Sequence, residues 1–80
     1  MTLTQRHKYL WAAMNQAPDF NQCVLDVLEG IPLRYPHGCT FPWRHKDQLS
    51  WQDMLDAAQL IRDADAAGIK LREEFADVPR

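Results

Sequence analysis

Cysteine is scarce in this sequence, with only Cys23 and Cys39 among 80 residues. Two thiols sixteen positions apart make no disulfide framework. Long apolar runs are absent, and nothing approaches the roughly 20 residues needed to cross a bilayer. The opening MTLTQRHKYL lacks the apolar core of a signal peptide. Together these features lead to the expectation of a reduced, cytosolic chain without a membrane partner. An excess of one charge is missing too. Nine Lys and Arg face eleven Asp and Glu, a net −2, which announces neither a nucleic-acid binder nor an acidic mimic of one. No catalytic motif is recognisable, so no enzyme is expected.

What is present is ordinary for a globular chain: 46% apolar and 25% charged residues. That composition excludes a disordered tail and a collagen-like fibre. A chain this short buries only about 60–65% of the surface that its unfolded form exposes. Association with a partner or a second copy is therefore expected before any motif is read. The charge is uneven. Residues 1–49 hold five Lys/Arg and four Asp/Glu, whereas residues 50–80 hold four and seven.

The patterning predicts a small all-α domain of three helices spanning residues 1–80, with an irregular loop over 30–49. The first helix runs over about 3–16. Leu3, Leu10, Met14 and Ala17 recur at helical spacing, with His7 in the same stripe. Thr2 is the expected cap, closed by Gln5 as a capping box, and Pro18 is the expected stop. The second helix, about 20–29, starts from Asp19 as cap and buries Phe20, Cys23, Val24, Val27 and Leu28. Asp26 lies mostly off that face. Gly30 ends it in the left-handed conformation, with Ile31 packing back over the last turn.

Between 30 and 49 the periodicity dissolves. Three of the five prolines and two of the three glycines sit there. A weak hairpin pairing Leu33–Tyr35 with Thr40–Trp43 is compatible with the pattern, and Pro42 would confine it to an edge. The third helix, about 50–77, opens with Ser50 as cap, Asp53 closing the box, and Leu49 and Met54 as a hydrophobic staple. A seam of Met54, Ala57, Ile61, Ala64, Gly68, Leu71, Phe75 and Val78 then keeps phase through Gly68, which favours one continuous helix. The alternative is Gly68 as a cap, folding Leu71 and Phe75 back onto the core.

Metal is not expected. His37, Cys39 and His45 lie within nine residues, but no C-x₂₋₄-C or H-x₃₋₅-H pair is present and Cys23 sits on an apolar face. No cofactor is expected either. A nucleophilic site has its ingredients in composition only, since Ser50 is accounted for as a cap.

The segment Arg34–Lys46 is the sharpest feature. Arg34, Arg44 and Lys46 alternate with Tyr35, Phe41 and Trp43, and no acid interrupts them. Such a mixture can anchor a protein interface, stack bases and track phosphates, or simply cover a small core. A helix–turn–helix reading of residues 3–29 fails, because the second helix carries no cation for a phosphate backbone. The reading adopted is a non-catalytic protein-binding module, an inhibitor or adaptor working through these six residues and the acidic third helix. Size and composition are those of accessory proteins, including small phage-encoded inhibitors of host defence or regulation. A nucleic-acid-binding regulator using the same loop is the alternative. A homodimer through Leu71, Phe75 and Val78 is also expected, because the third helix outruns what the first two can cover.

Overall fold

The structure, a computed structural model, describes residues 2–32, 35–44 and 47–77. It is mostly helical, with a two-stranded ribbon in the loop. The order is α1 (Gln5–Gln16), α2 (Pro18–Glu29), β1 (Phe41–Pro42), β2 (Gln48–Leu49), α3 (Trp51–Ala67) and α4 (Leu71–Glu74). Helices α1, α2 and α3 all contact one another.

Helix α1 is capped by Thr4 rather than Thr2. The Thr4 hydroxyl accepts the His7 amide at 3.3 Å, and His7 Nδ1 accepts the Thr4 amide at 3.1 Å. A ring nitrogen thus does what the Glu or Gln of a capping box usually does. Only Ala17 separates α1 from α2, and it offers no side-chain cap. Pro18 is not merely a stop. It occupies the first turn of α2, where its missing amide leaves nothing unsatisfied and its fixed φ suits the helix. Asp19 lies in that turn too, a favourable place for negative charge.

Both longer helices after α1 end on glycine at φ +71°, in the left-handed region. Past Gly30 the Ile31 amide reaches the Asp26 carbonyl at 2.9 Å, and past Gly68 the Ile69 amide reaches Ala64 at 2.8 Å. Each is a Schellman closure. Ile31 is 46% exposed, so its side chain does not cover the turn as expected. The third helix is likewise not continuous. It stops at Gly68, and the chain turns into the short α4, which brings Leu71 and Phe75 into the core at 7% exposure each. The closure satisfies the last carbonyls of α3 and hides two large apolar side chains. That outweighs continuing a seam whose outer half would face water.

The loop pairing also differs from expectation. Phe41 pairs with Leu49 and Pro42 with Gln48, antiparallel, while Leu33 and Arg34 lie outside the described residues. Phe41 and Leu49 point inward at 1% and 0% exposure. Phe41 sits edge-on to Phe20 at 5.6 Å and to Tyr35 at 5.7 Å. The start of α3 follows the sequence reading: the Asp53 amide donates to Ser50 Oγ at 3.1 Å and the Ser50 amide to Asp53 Oδ2 at 2.9 Å. The remaining core comes from Leu10, Ala13 and Met14 of α1, Phe20 and Val24 of α2, and Met54, Ala57, Ala58 and Leu60 of α3. Alanines at the centre let the helices approach closely, and each large apolar side chain contributes about 1.5–3 kcal/mol by burial.

Candidate partner-binding site

Of the six loop residues singled out by composition, the four that the structure describes do not form one surface. Arg34 and Lys46 lie outside the described residues. Phe41 is buried in the core, which removes it as a surface anchor, and Tyr35 is half-buried against it. Trp43 and Arg44 remain at the surface, and they turn towards α1 rather than towards the rest of the loop.

That turn has a physical cause. Tyr9 and Gln16 are seven residues apart, so two helical turns bring them to one face of α1. Trp43 follows β1 directly and lies across both. Its indole Nε1–H donates to Gln16 Oε1 at 3.0 Å, and its ring meets Tyr9 edge-on at 4.9 Å and 77°. The guanidinium of Arg44 lies over the Trp43 ring, 4.2 Å from its centre. On the other side, Arg6 lies 5.8 Å from the centre of the Tyr9 ring. The result is a ladder of cation, ring, ring and cation across α1. Beside it runs an open groove of about 260 Å³ whose lining includes Tyr9, Ala12 and Trp43.

The two arginines differ in what holds them. Arg6 donates to Asp53 and to Asp56, the latter at 2.9 Å, tying α1 to the first turns of α3. The Asp56 bond chiefly holds its pKa above the ordinary value, with Asp53 adding to it against desolvation. Arg44 is exposed and, among the described residues, makes no ion pair. Burial pushes the Tyr9 phenol upward in pKa; Asp53 and Asp47 add to that, while Arg6 and Arg44 oppose it.

The other expected sites fall differently. Leu71 and Phe75 are covered by their own chain, Phe75 with its ring 6.4 Å from Trp11, and Val78 lies outside the described residues. The exposed overhang that motivated a dimer at these positions is therefore absent among the described residues. The acidic face of α3 is partly spent within the chain, Asp53 and Asp56 on Arg6 and Asp63 on Gln59. Cys23 is buried and Cys39 half-buried, both as free thiols, and burial raises the Cys23 pKa. The His37 ring packs on Trp51 at 4.9 Å, and His45 lies outside the described residues. No group of three or more metal-capable side chains occurs among the described residues, and none of the described helices is long and apolar enough to cross a membrane.

Two features escaped the sequence reading. Asp26 is buried at 1% exposure, accepting from Gln22 Nε2 at 3.0 Å, although helical phase had set it off the apolar face. The Tyr9–Gln16 cradle was missed as well, though their heptad spacing was its one available signal. A larger groove of about 500 Å³ opens where α3 turns into α4, beside Trp11, Ile61 and Ile69. Comparison with known protein families, curated proteins and solved structures finds no match for this chain.

Proposed function

We propose that this chain is a non-catalytic protein-binding module, an inhibitor or adaptor that docks on a larger protein through the Trp43–Arg44 face of α1. One observation carries the reading: Arg44 is stacked on Trp43 at 4.2 Å, with no acid of its own among the described residues. Tryptophan and arginine dominate interface energies. An arginine already ordered on a ring loses less freedom when it binds. The loop itself is held on a rigid scaffold by the Gln16 bond and the buried Phe41, the arrangement in which recognition residues usually sit.

The loop's mixture of aromatics and cations also supports a nucleic-acid reading. That reading is weaker, because a phosphate backbone asks for several free cations together. Lys8, the other cation along this groove, is paired with Asp77 at 2.9 Å.

The test is a pull-down from native extract with wild type, Arg44→Ala and Trp43→Ala, each checked for its melting temperature. A protein captured by wild type and lost with Arg44→Ala at unchanged melting temperature supports the reading. Capture indifferent to both substitutions rejects it. Capture of nucleic acid, with affinity falling steeply as salt rises, favours the alternative.

A further inference from the structure

We infer that the groove along α1 receives an acidic–apolar peptide segment of the partner, with a carboxylate on Arg44 and a neighbouring aliphatic side chain seated in the groove that Tyr9, Ala12 and Trp43 line. This rests on the reading of the Trp43–Arg44 face as a protein-binding surface and adds the chemistry of what binds there.

The argument begins with Arg44. Its guanidinium carbon lies over the Trp43 ring, and its N–H donors, which lie in the guanidinium plane, make no ion pair with a described residue. In-plane donors fit a carboxylate in the bidentate manner, two parallel charge-assisted bonds. Charge around the groove points the same way. None of its lining residues is a carboxylate, and Arg44 among them makes no ion pair with a described residue, in a chain whose net charge is −2. An acidic segment is therefore attracted to Arg44.

Shape sets the second half. Tyr9, Ala12 and Trp43 line the groove, so its surface is partly aromatic and partly aliphatic, and the small Ala12 side chain takes little of its space. The groove's 260 Å³ lies below the roughly 300–1,000 Å³ of sites that enclose a drug-sized ligand. It is also open, so it suits a side chain or two projecting from a peptide that continues beyond it. Gln5, exposed at one end, has a carboxamide able to bond a peptide amide or carbonyl. A phosphate-bearing strand fits less well, because Lys8 is already held by Asp77.

The experiment is selection of a random peptide-display library on the full chain, with counter-selection on Arg44→Glu. The enriched peptides should carry Asp or Glu within a residue or two of Leu, Ile, Met or Val. A synthetic representative should lose binding by about tenfold, roughly 1.4 kcal/mol, when its carboxylate becomes an amide. A similar loss should follow in Arg44→Gln, whose melting temperature should match wild type because the side chain is exposed. Three results overturn the inference: no enriched peptide, enriched peptides without an acid, or equal binding to Arg44→Glu. Tighter, strongly salt-dependent binding of single-stranded oligothymidylate at the same residues overturns it as well. The two readings fail separately. If Arg44→Ala abolishes capture of the native partner while selected peptides are not acidic, the binding face stands and this inference falls. If acidic peptides need Arg44 but native capture does not, the groove chemistry stands and the proposed function falls.

Discussion

The indole of Trp43 donates to the side-chain oxygen of Gln16 at 3.0 Å, joining positions 27 residues apart. This contact converts an irregular loop into a positioned surface. The loop is fastened at Phe41 from within and at Trp43 from without, so Arg44 is presented from a fixed ring rather than from a free tether.

Folding and binding should separate at this site through the choice of residue. Trp43→Phe keeps an aromatic ring against Tyr9 but leaves Gln16 Oε1 without this donor. We expect a loss of about 1 kcal/mol in stability, the ordinary worth of one such bond. Trp43→Ala should cost more, since it also empties a half-buried site. Arg44→Ala should leave denaturant stability within about 0.5 kcal/mol of wild type, as exposed substitutions usually do, while binding falls. Chemical denaturation of the three variants checks this. A large stability loss from Arg44→Ala would mean that the stacked guanidinium belongs to the fold.

Asp53 gives the expected acid sensitivity. Burial pushes its carboxyl upward, but the Ser50 amide and the Arg6 guanidinium outweigh that and hold it below the ordinary 3.8. A carboxylate lowered in the folded state contributes its stability above the unfolded value, and loses it as pH falls through the folded one. Wild type should therefore be at full strength at neutral pH and weaken below about pH 4. Asp53→Asn keeps an acceptor for the Ser50 amide but removes the charge. It should cost about 1 kcal/mol at pH 7, the upper end for an exposed pair because the Asp53 side chain is only 13% exposed, and show a shallower decline in acid. Melting temperatures from pH 2 to pH 7 decide, and superimposable acid limbs would assign the sensitivity to other carboxylates.

The parts of this fold that were legible in sequence are the ones written within a few residues. Ser50 with Asp53, and Gly30 after Glu29, are short-range chemistry, and the structure has both as read. Thr4 was missed because histidine is not the usual partner in a capping box. At Gly68 the sequence offered both a continuous helix and a break, and the choice between them was undecidable for a deeper reason. The seam from Met54 to Phe75 has one periodicity whether the helix continues or turns back, and only the partner surface on α1 decides between them. Asp26 makes the same point, since helical phase gives a direction but not what stands there. The site was half legible: composition found Trp43 and Arg44, whereas Tyr9 and Gln16 looked like ordinary helix residues until the loop lay across them.

Gly68→Ala tests the break directly. A Cβ at this position meets nothing within 4 Å, so the substitution introduces no clash. What it introduces is a left-handed backbone at φ +71° for a residue with a side chain, at a cost of about 1–2 kcal/mol. For a domain of this size each 1 kcal/mol is roughly 4–8 °C in melting temperature. Gly68→Asn should cost less, because asparagine visits this conformation more readily. A Gly68→Ala variant that is more stable and more helical than wild type would show that the continuous helix is the better arrangement.

Phe75 decides where the C-terminal segment belongs. In a continuous third helix, Leu71 and Phe75 would be an exposed stripe, and Phe75→Asp would separate a dimer into folded monomers. Here Phe75 is 7% exposed, its ring lies 6.4 Å from Trp11, and the segment is tied back further on by Lys8 to Asp77 at 2.9 Å. A charge at position 75 would be buried against an indole, which is among the costliest things a substitution can do. Phe75→Asp should therefore act on folding, lowering the melting temperature by many degrees. Phe75→Leu, which keeps most of the volume, should lower it by far less. Lys8→Ala should have only a small effect, because both members of its ion pair are solvent-exposed. Light scattering on the same samples supplies the contrary outcome. If wild type has the mass of two chains and Phe75→Asp gives one chain with undiminished helicity, Phe75 lies between subunits rather than against its own Trp11.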